Sequence, residues 1–258
     1  MIRKPTLFVV FISGLLAVAC SKSEPEAVSE SPSIDEQPPA EVSSLDPATG
    51  DAGSNDSTVL DPDHYTAEFE NDAVRIVRIK YDAGEESVMH YHPDNVAVFL
   101  SDVKSQMTMP DGSTVETSAS AGDAGFASAG EHLPKNISDS SQELVLVELK
   151  PRESTPTELS GPHATDVDPD HYTAEFENEA VCIVRIKYGA GEESVTHYHP
   201  DSVAVFLTDH LVEMTMPDGS TEEISAKAGD AIFIPAGQHL PKNIADSAWE
   251  LVLVELKQ

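Results

Sequence analysis

Gly191-Glu192-Glu193-Ser194-Val195-Thr196-His197-Tyr198-His199 decides how the chain is read, and it recurs earlier as Gly84-Glu85-Glu86-Ser87-Val88-Met89-His90-Tyr91-His92. Side chains alternate faces along an extended strand, so His-x-His places two imidazoles on one side. A third histidine follows each pair some forty residues on, His132 and His239. Two histidines from one strand and one from a neighbour can occupy one face of a metal ion and leave the other face open. Imidazole suits Zn, Cu, Fe and Ni, and a facial set with free positions is the arrangement of non-haem iron oxygen chemistry.

The recurrence extends well beyond the histidines. Asp61-Pro62-Asp63-His64-Tyr65 returns as Asp168-Pro169-Asp170-His171-Tyr172, and the match runs ungapped to Lys150 and Lys257, with about 70 of 90 aligned positions identical. A repeat this long is a duplicated domain, giving a first domain at 61–150, a linker at 151–167 and a second domain at 168–258. Within each copy the pattern is all-β. Ala73 to Tyr81 is β-branched and alternating, Val96 to Leu100 is a continuous apolar run, and Glu250 to Leu256 closes the second copy with another strand. Pro110-Asp111-Gly112-Ser113 and Pro217-Asp218-Gly219-Ser220 are tight turns between strands. Short strands punctuated by such turns predict a sandwich or barrel.

On these residues the chain resembles the cupin superfamily. Gly191 followed by five residues and His-x-His fits the first cupin motif; Gly229, then Pro235-Ala236-Gly237, His239 and Asn243 fit the second. The resemblance implies a bicupin: two tandem jelly-roll (double-stranded β-helix) barrels. It also implies metal ligation by His90, His92 and His132 in one barrel and by His197, His199 and His239 in the other. Iron is the expected divalent metal, with Mn, Ni, Cu and Zn as alternatives. Two departures stand out. The glutamate that usually follows the histidine pair is replaced by Val96 or Ala97 and by Val203 or Ala204, and only Glu131 or Gln238 separates the motif glycine from the third histidine. Asp94 and Asp201 share the histidines' parity and are candidates for the missing carboxylate. The first copy also has Ser128 for Pro235, Gly125 for Ile232 and Ala127 for Ile234, which predicts a less stable barrel. Cupins commonly pair as homodimers, so the fused copies imply a pseudo-dimer in one monomeric chain, with the leaders Tyr65–Glu70 and Tyr172–Glu177 as candidates for exchange between barrels.

Residues 1–20 read as a signal peptide: Arg3 and Lys4, an apolar run from Leu7 to Val18, then small residues and Cys20. The stretch resembles a bacterial lipoprotein box, with Ala17 where leucine is usual, and implies lipidation of Cys20. The expected address is the periplasm or the outer membrane, with membrane contact through the lipid anchor alone. Residues 21–60, rich in Ser, Pro, Glu and Asp, read as a disordered acidic tether. A formal charge of −31 disfavours nucleic acid as a partner.

Other residues take structural readings. His64 and His171 anchor the first strands; Cys182, at the position that holds Arg75 in the first copy, is small strand filler. His163 and His210 read as surface residues, Trp249 as packing, and the Met107/Met109 and Met214/Met216 pairs as core. The leading functional expectation is a metal-dependent oxygenase acting on a small organic substrate. The alternative is a binding module for a metal or small ligand without catalysis, and a third is a structural barrel with a vestigial site.

Overall fold

The computed structural model describes residues 55–151 and 161–257. The signal peptide, Cys20, the tether up to residue 54 and linker residues 152–160 lie outside the described residues.

The first repeat runs α1 (Ser57–Leu60), β1 (Tyr65–Glu70), β2 (Val74–Tyr81), β3 (His90–His92), β4 (Asn95–Phe99), β5 (Val103–Thr108), β6 (Thr114–Ala119), β7 (Ala124–Ala127), β8 (Gly130–Asn136) and β9 (Gln142–Leu149). The second runs α2 (Ala164–Val167), β10 (Tyr172–Glu177), β11 (Val181–Tyr188), β12 (His197–His199), β13 (Ser202–Phe206), β14 (His210–Thr215), β15 (Thr221–Ala226), β16 (Ala231–Ile234), β17 (Gly237–Asn243) and β18 (Trp249–Leu256). Each repeat folds into a five-stranded antiparallel sheet, ordered β1-β2-β9-β4-β7 or β10-β11-β18-β13-β16, facing a four-stranded one, ordered β3-β8-β5-β6 or β12-β17-β14-β15. The two together make a jelly-roll barrel. Gly112 and Gly219 sit at φ +82° in the Pro-Asp-Gly-Ser turns, a left-handed conformation open to glycine.

Strand parity divides the apolar residues into two cores. In β2, Val74 and Ile76 join a cluster shared with Val181, Ile183, Val203, Val205, Val252 and Val254 of the second repeat. The opposite parity, Val77, Ile79 and Tyr81, packs with Tyr65 and Leu146 inside the first barrel. The large sheets therefore pack on each other through their outer faces. Two reciprocal contacts frame this interface. Arg78 donates to the Gly229 carbonyl and Arg185 to that of Gly122, both at 2.7 Å, while Phe69 stacks on Phe233 and Phe126 on Phe176.

Several expectations change. The leaders are not exchanged: β1 pairs with β2 and β10 with β11, each a short local hairpin within its own repeat. The tether reading runs too far, because residues 55–60 are ordered. Asp56 caps α1 and pairs with Arg75 at 2.6 Å, and the Asn55 carbonyl accepts the Tyr91 N–H. Polar residues of low hydrophobicity are held here by specific hydrogen bonds that composition does not register. His210 is buried against Trp249, with ring centroids 4.2 Å apart, and is no surface residue. Met214 packs on the second barrel's interior cluster, but Met216 is exposed at the strand's end. Ile232 is also largely exposed, so the first barrel's lost volume lies elsewhere: Ala127 for Ile234, and the hydrogen-bonded polar pair Ser105 and Gln142 for Val212 and Trp249.

Ile183 is fully buried in the shared cluster, so Ile183→Ala is expected to cost about 2–5 kcal/mol. Urea denaturation followed by circular dichroism should show one transition with a lowered midpoint; two separate transitions, only one of them shifted, would show that the barrels unfold independently.

Candidate metal centres

β3 pairs with β8 so that His90 lies directly opposite His132, and β12 pairs with β17 so that His197 lies opposite His239. His92 and His199 stand two residues along the same strands, on the same face. The outcome is two trios. One ligand atom from each ring lies within 4.8 Å of the others, and ring centroids are 4.8–5.3 Å apart in both barrels. All six expected ligands are thus brought together, three per barrel. His90 and His197 are fully buried, His92 and His199 nearly so.

Hydrogen bonds select the tautomers. His90 Nδ1 lies 2.8 Å from the Val88 carbonyl and His197 Nδ1 lies 2.7 Å from that of Val195. A carbonyl only accepts, so Nδ1 carries the proton and Nε2 keeps its lone pair. Those two Nε2 atoms are buried with no hydrogen-bond partner. His92 and His199 direct Nδ1 at Glu148 Oε1 (2.7 Å) and Glu255 Oε1 (2.6 Å), from the last strand of each barrel. A buried carboxylate at this position orients a ligand ring and raises its basicity. Three converging imidazoles, two of them with Nδ1 engaged and Nε2 left over, fit a divalent ion, which the trio of each barrel would hold.

Asp94 and Asp201 do not join the trios: their carboxylates accept the backbone N–H of Ala129 and Ala236. The proline after each histidine pair turns the chain there. The carboxylate that sequence reasoning sought beside the histidine pair comes instead from the last strand of the barrel. A usable signal existed: Glu148 and Glu255 interrupt Val-Leu-Val-Glu-Leu at the interior parity of Leu146 and Leu253.

A supporting layer surrounds each trio. Tyr65 and Tyr172 lie edge-on to His90 and His197 at 4.7 Å and hydrogen-bond Tyr81 and Tyr188. Ser87 and Ser194 link these first histidines to Asp61 and Asp168, which also bind His64 and His171. His64 stacks on Tyr81 and His171 on Tyr188, so the two leader histidines anchor the starts of the first strands as expected. His163 was expected at the surface. It caps α2 and reaches Glu255 through Nε2 at 2.9 Å.

No family model matches the sequence, and no curated protein matches it either. Solved structures do. A variant oxalate decarboxylase from Bacillus subtilis matches with TM-score 0.52 and 13% identity, over 75% of this chain and 72% of that one. The Lactobacillus farciminis oxalate decarboxylase in its formate complex matches with TM-score 0.52 and 16% identity, over 75% and 80%. A further Bacillus subtilis oxalate decarboxylase structure, described for its Mn(II) centres, matches with TM-score 0.50 and 12% identity, over 75% of each chain. The fold is a bicupin. At these identities the likeness is one of fold, and the site chemistry of this chain rests on its own residues.

Burial, and then the charge of the facing His92 or His199, lowers His90 and His197 to about 4 and His132 and His239 to about 3. These values lie below the unfolded one near 6.5, so protons bind the unfolded chain preferentially. The trios' contribution to stability is complete above about pH 6.5 and is lost as pH falls toward 4. The thermal midpoint of the chelator-treated protein should therefore drop between pH 7 and 4.5, and His239→Asn should flatten that slope; an unchanged slope would mean that His239 titrates normally. Glu148→Gln, made with His197→Ala so that one trio is read alone, should weaken metal binding about 10–100-fold in a chelator competition.

Proposed function

We propose that the protein is a metal-dependent bicupin of the cell envelope whose second barrel carries out oxygen-dependent chemistry on a small organic molecule. One observation carries this reading: a trio of imidazoles, two of them buried with Nδ1 engaged by hydrogen bonds so that Nε2 is left for a ligand bond, and no carboxylate within the trio. Three neutral ligands on one face leave the ion its double charge and leave other positions for dioxygen and substrate. Bound there, a redox-active ion such as iron or manganese supplies Lewis acidity and electron exchange with dioxygen. Manganese stands beside iron because one of the fold neighbours is described for its Mn(II) centres.

The chain's own residues supply the rest. Glu255 holds His199 in one tautomer and orientation, the Val195 carbonyl does the same for His197, and the Tyr172 ring packs edge-on against His197. Surface charge bears on the substrate. A formal charge of −31 repels dianions at long range, so a neutral or cationic small molecule is favoured over oxalate, the substrate named by the fold neighbours. Signal peptide, lipid anchor on Cys20 and a monomeric pseudo-dimer complete the proposal.

The test is reconstitution of the purified protein with Fe(II) or Mn(II) under argon, then oxygen uptake with diketones, thiols, phenols and oxalate. Uptake with a neutral substrate is expected, together with loss of one metal equivalent in His197→Ala and His199→Ala. Carbon dioxide released from oxalate without net oxygen consumption would replace the oxygenase with a decarboxylase. Metal binding without turnover, with a ligand-dependent thermal shift, would leave the binding module.

A further inference from the structure

Around the last-strand glutamate the two repeats, otherwise close copies, diverge. In the first barrel Glu148 Oε2 accepts from Arg75 Nε at 2.5 Å, and Arg75 also pairs with Asp56. At the matching positions the second barrel has Cys182 for Arg75 and His163 for Asp56. The permanent cation beside the carboxylate is gone, and two side chains that bind soft metal ions stand in its place. Glu255 is nonetheless as buried as Glu148, each 1% exposed. A buried carboxylate requires compensation.

The geometry joins two of these residues directly, and strand register sets the third, Cys182, beside them. His163 Nε2 lies 2.9 Å from Glu255 Oε2, and His163, His199 and Glu255 offer ligand atoms within 4.8 Å of one another. Cys182 is the direct cross-strand partner of Glu255, the same relation that brings Arg75 to Glu148, and it is buried in the barrel interior. Among the described residues the first barrel has no matching group.

We propose that His163, Cys182 and Glu255 form an auxiliary site in the second barrel for a thiophilic divalent cation of the zinc class, standing where the first barrel keeps a guanidinium. The site uses none of the trio's three histidines as ligands, touches the trio only through Glu255, and does not rest on the oxygenase reading. Zinc binds imidazole nitrogen and carboxylate oxygen at about 2.0–2.2 Å and thiolate at about 2.3 Å, which sets neighbouring N and O ligands about 3.3 Å apart in a tetrahedron. The His163–Glu255 pair needs to open by only a few tenths of an ångström. Cysteine is several atoms shorter than arginine, a length that an ion and its bonds take up. Burial, then the Glu255 charge, raises the free thiol to about 11. On binding, the ion displaces the thiol proton to solvent and takes the place of the Nε2 proton that His163 donates to Glu255; that second proton leaves to solvent or moves to Nδ1 beside Thr165 Oγ1. Glu255 Oε1 still accepts from His199 Nδ1, so one carboxylate links the auxiliary ion to the trio.

Cadmium is the probe, added to full-length protein carrying Cys20→Ser so that Cys182 is its one thiol. One equivalent should produce an ultraviolet thiolate-to-cadmium charge-transfer band, which zinc abolishes by competition. The band should persist in His197→Ala/His239→Ala, which disables the trio, and disappear in Cys182→Ser. His163→Ala should weaken it at least tenfold. The double variant His163→Asp/Cys182→Arg rebuilds the first barrel's arrangement and should fold, keep the trio's metal and lose the band. The proposal is overturned by two results: no band at all, which leaves a protonated His163 as the partner of Glu255, or a band whose affinity is unchanged in His163→Ala, which reduces it to binding by an isolated thiol.

Discussion

A single buried carboxylate per barrel, Glu148 or Glu255, is the constraint around which each site is arranged. Both side chains are almost wholly out of water, and an isolated charge there would cost several kcal/mol even after relaxation. Donors must therefore converge on it, and one of them is the Nδ1–H of the second histidine in the His-x-His pair. That bond leaves the histidine's Nε2 free and points it inward. The first histidine reaches the same tautomer by a different route, through a carbonyl two residues back on its own chain segment. One tautomer is thus set by local backbone and the other by a long-range charge, and the third histidine is placed by strand register alone.

The duplicated chain solves a problem that a single barrel would have. The outer face of the five-stranded sheet is as apolar as its inner face, with Val74, Ile76, Val145 and Val147 fully buried in the shared cluster. On an isolated barrel such a patch would be an association surface. Packing the two large sheets against each other removes it, and Arg78 and Arg185 close the rim by donating to carbonyls across the interface. Those carbonyls belong to Gly229 and Gly122, the glycines that open the second cupin motif, held at φ +90° and +89°. Left-handed glycine at this turn shapes the site's own barrel and supplies the acceptor for its neighbour.

Much of this was legible in the chain. Alternation put two imidazoles on one face, the repeat implied two of everything, and the turn glycines marked strand ends. Register was harder. Which residue of β8 faces His90 depends on pairing between strands forty residues apart, and recurrence in both copies together with the family resemblance, not periodicity, supplied His132. Glu148 and Glu255 stayed hidden because a glutamate within an apolar strand reads equally as solvent-facing, and only the parity of its neighbours places it inside. His163 was misread for the same reason as residues 55–60: composition assigned both to linkers, while their order comes from hydrogen bonds to distant residues. The pattern also located the first barrel's weakness partly in the wrong place, since Ile232 faces solvent while the polar substitution of Val212 and Trp249 lies inside.

The two centres share their ligands and differ in what stands behind them. In the first barrel the carboxylate supporting His92 is drawn toward a guanidinium that is itself tied to Asp56, so its charge is divided between an arginine and an imidazole. In the second, Glu255 takes bonds from two imidazoles, and these outweigh the effect of burial to hold its carboxyl below the usual carboxylate range. His163 is a titratable partner where Arg75 is a permanent cation, so the pull of Glu255 on the Nδ1 proton of His199 depends on what occupies the far side of the carboxylate. The same three rings in the same register therefore stand in front of different charge arrangements in the two barrels. Divergence after duplication has acted on the charge behind the ligands while leaving the ligands alone.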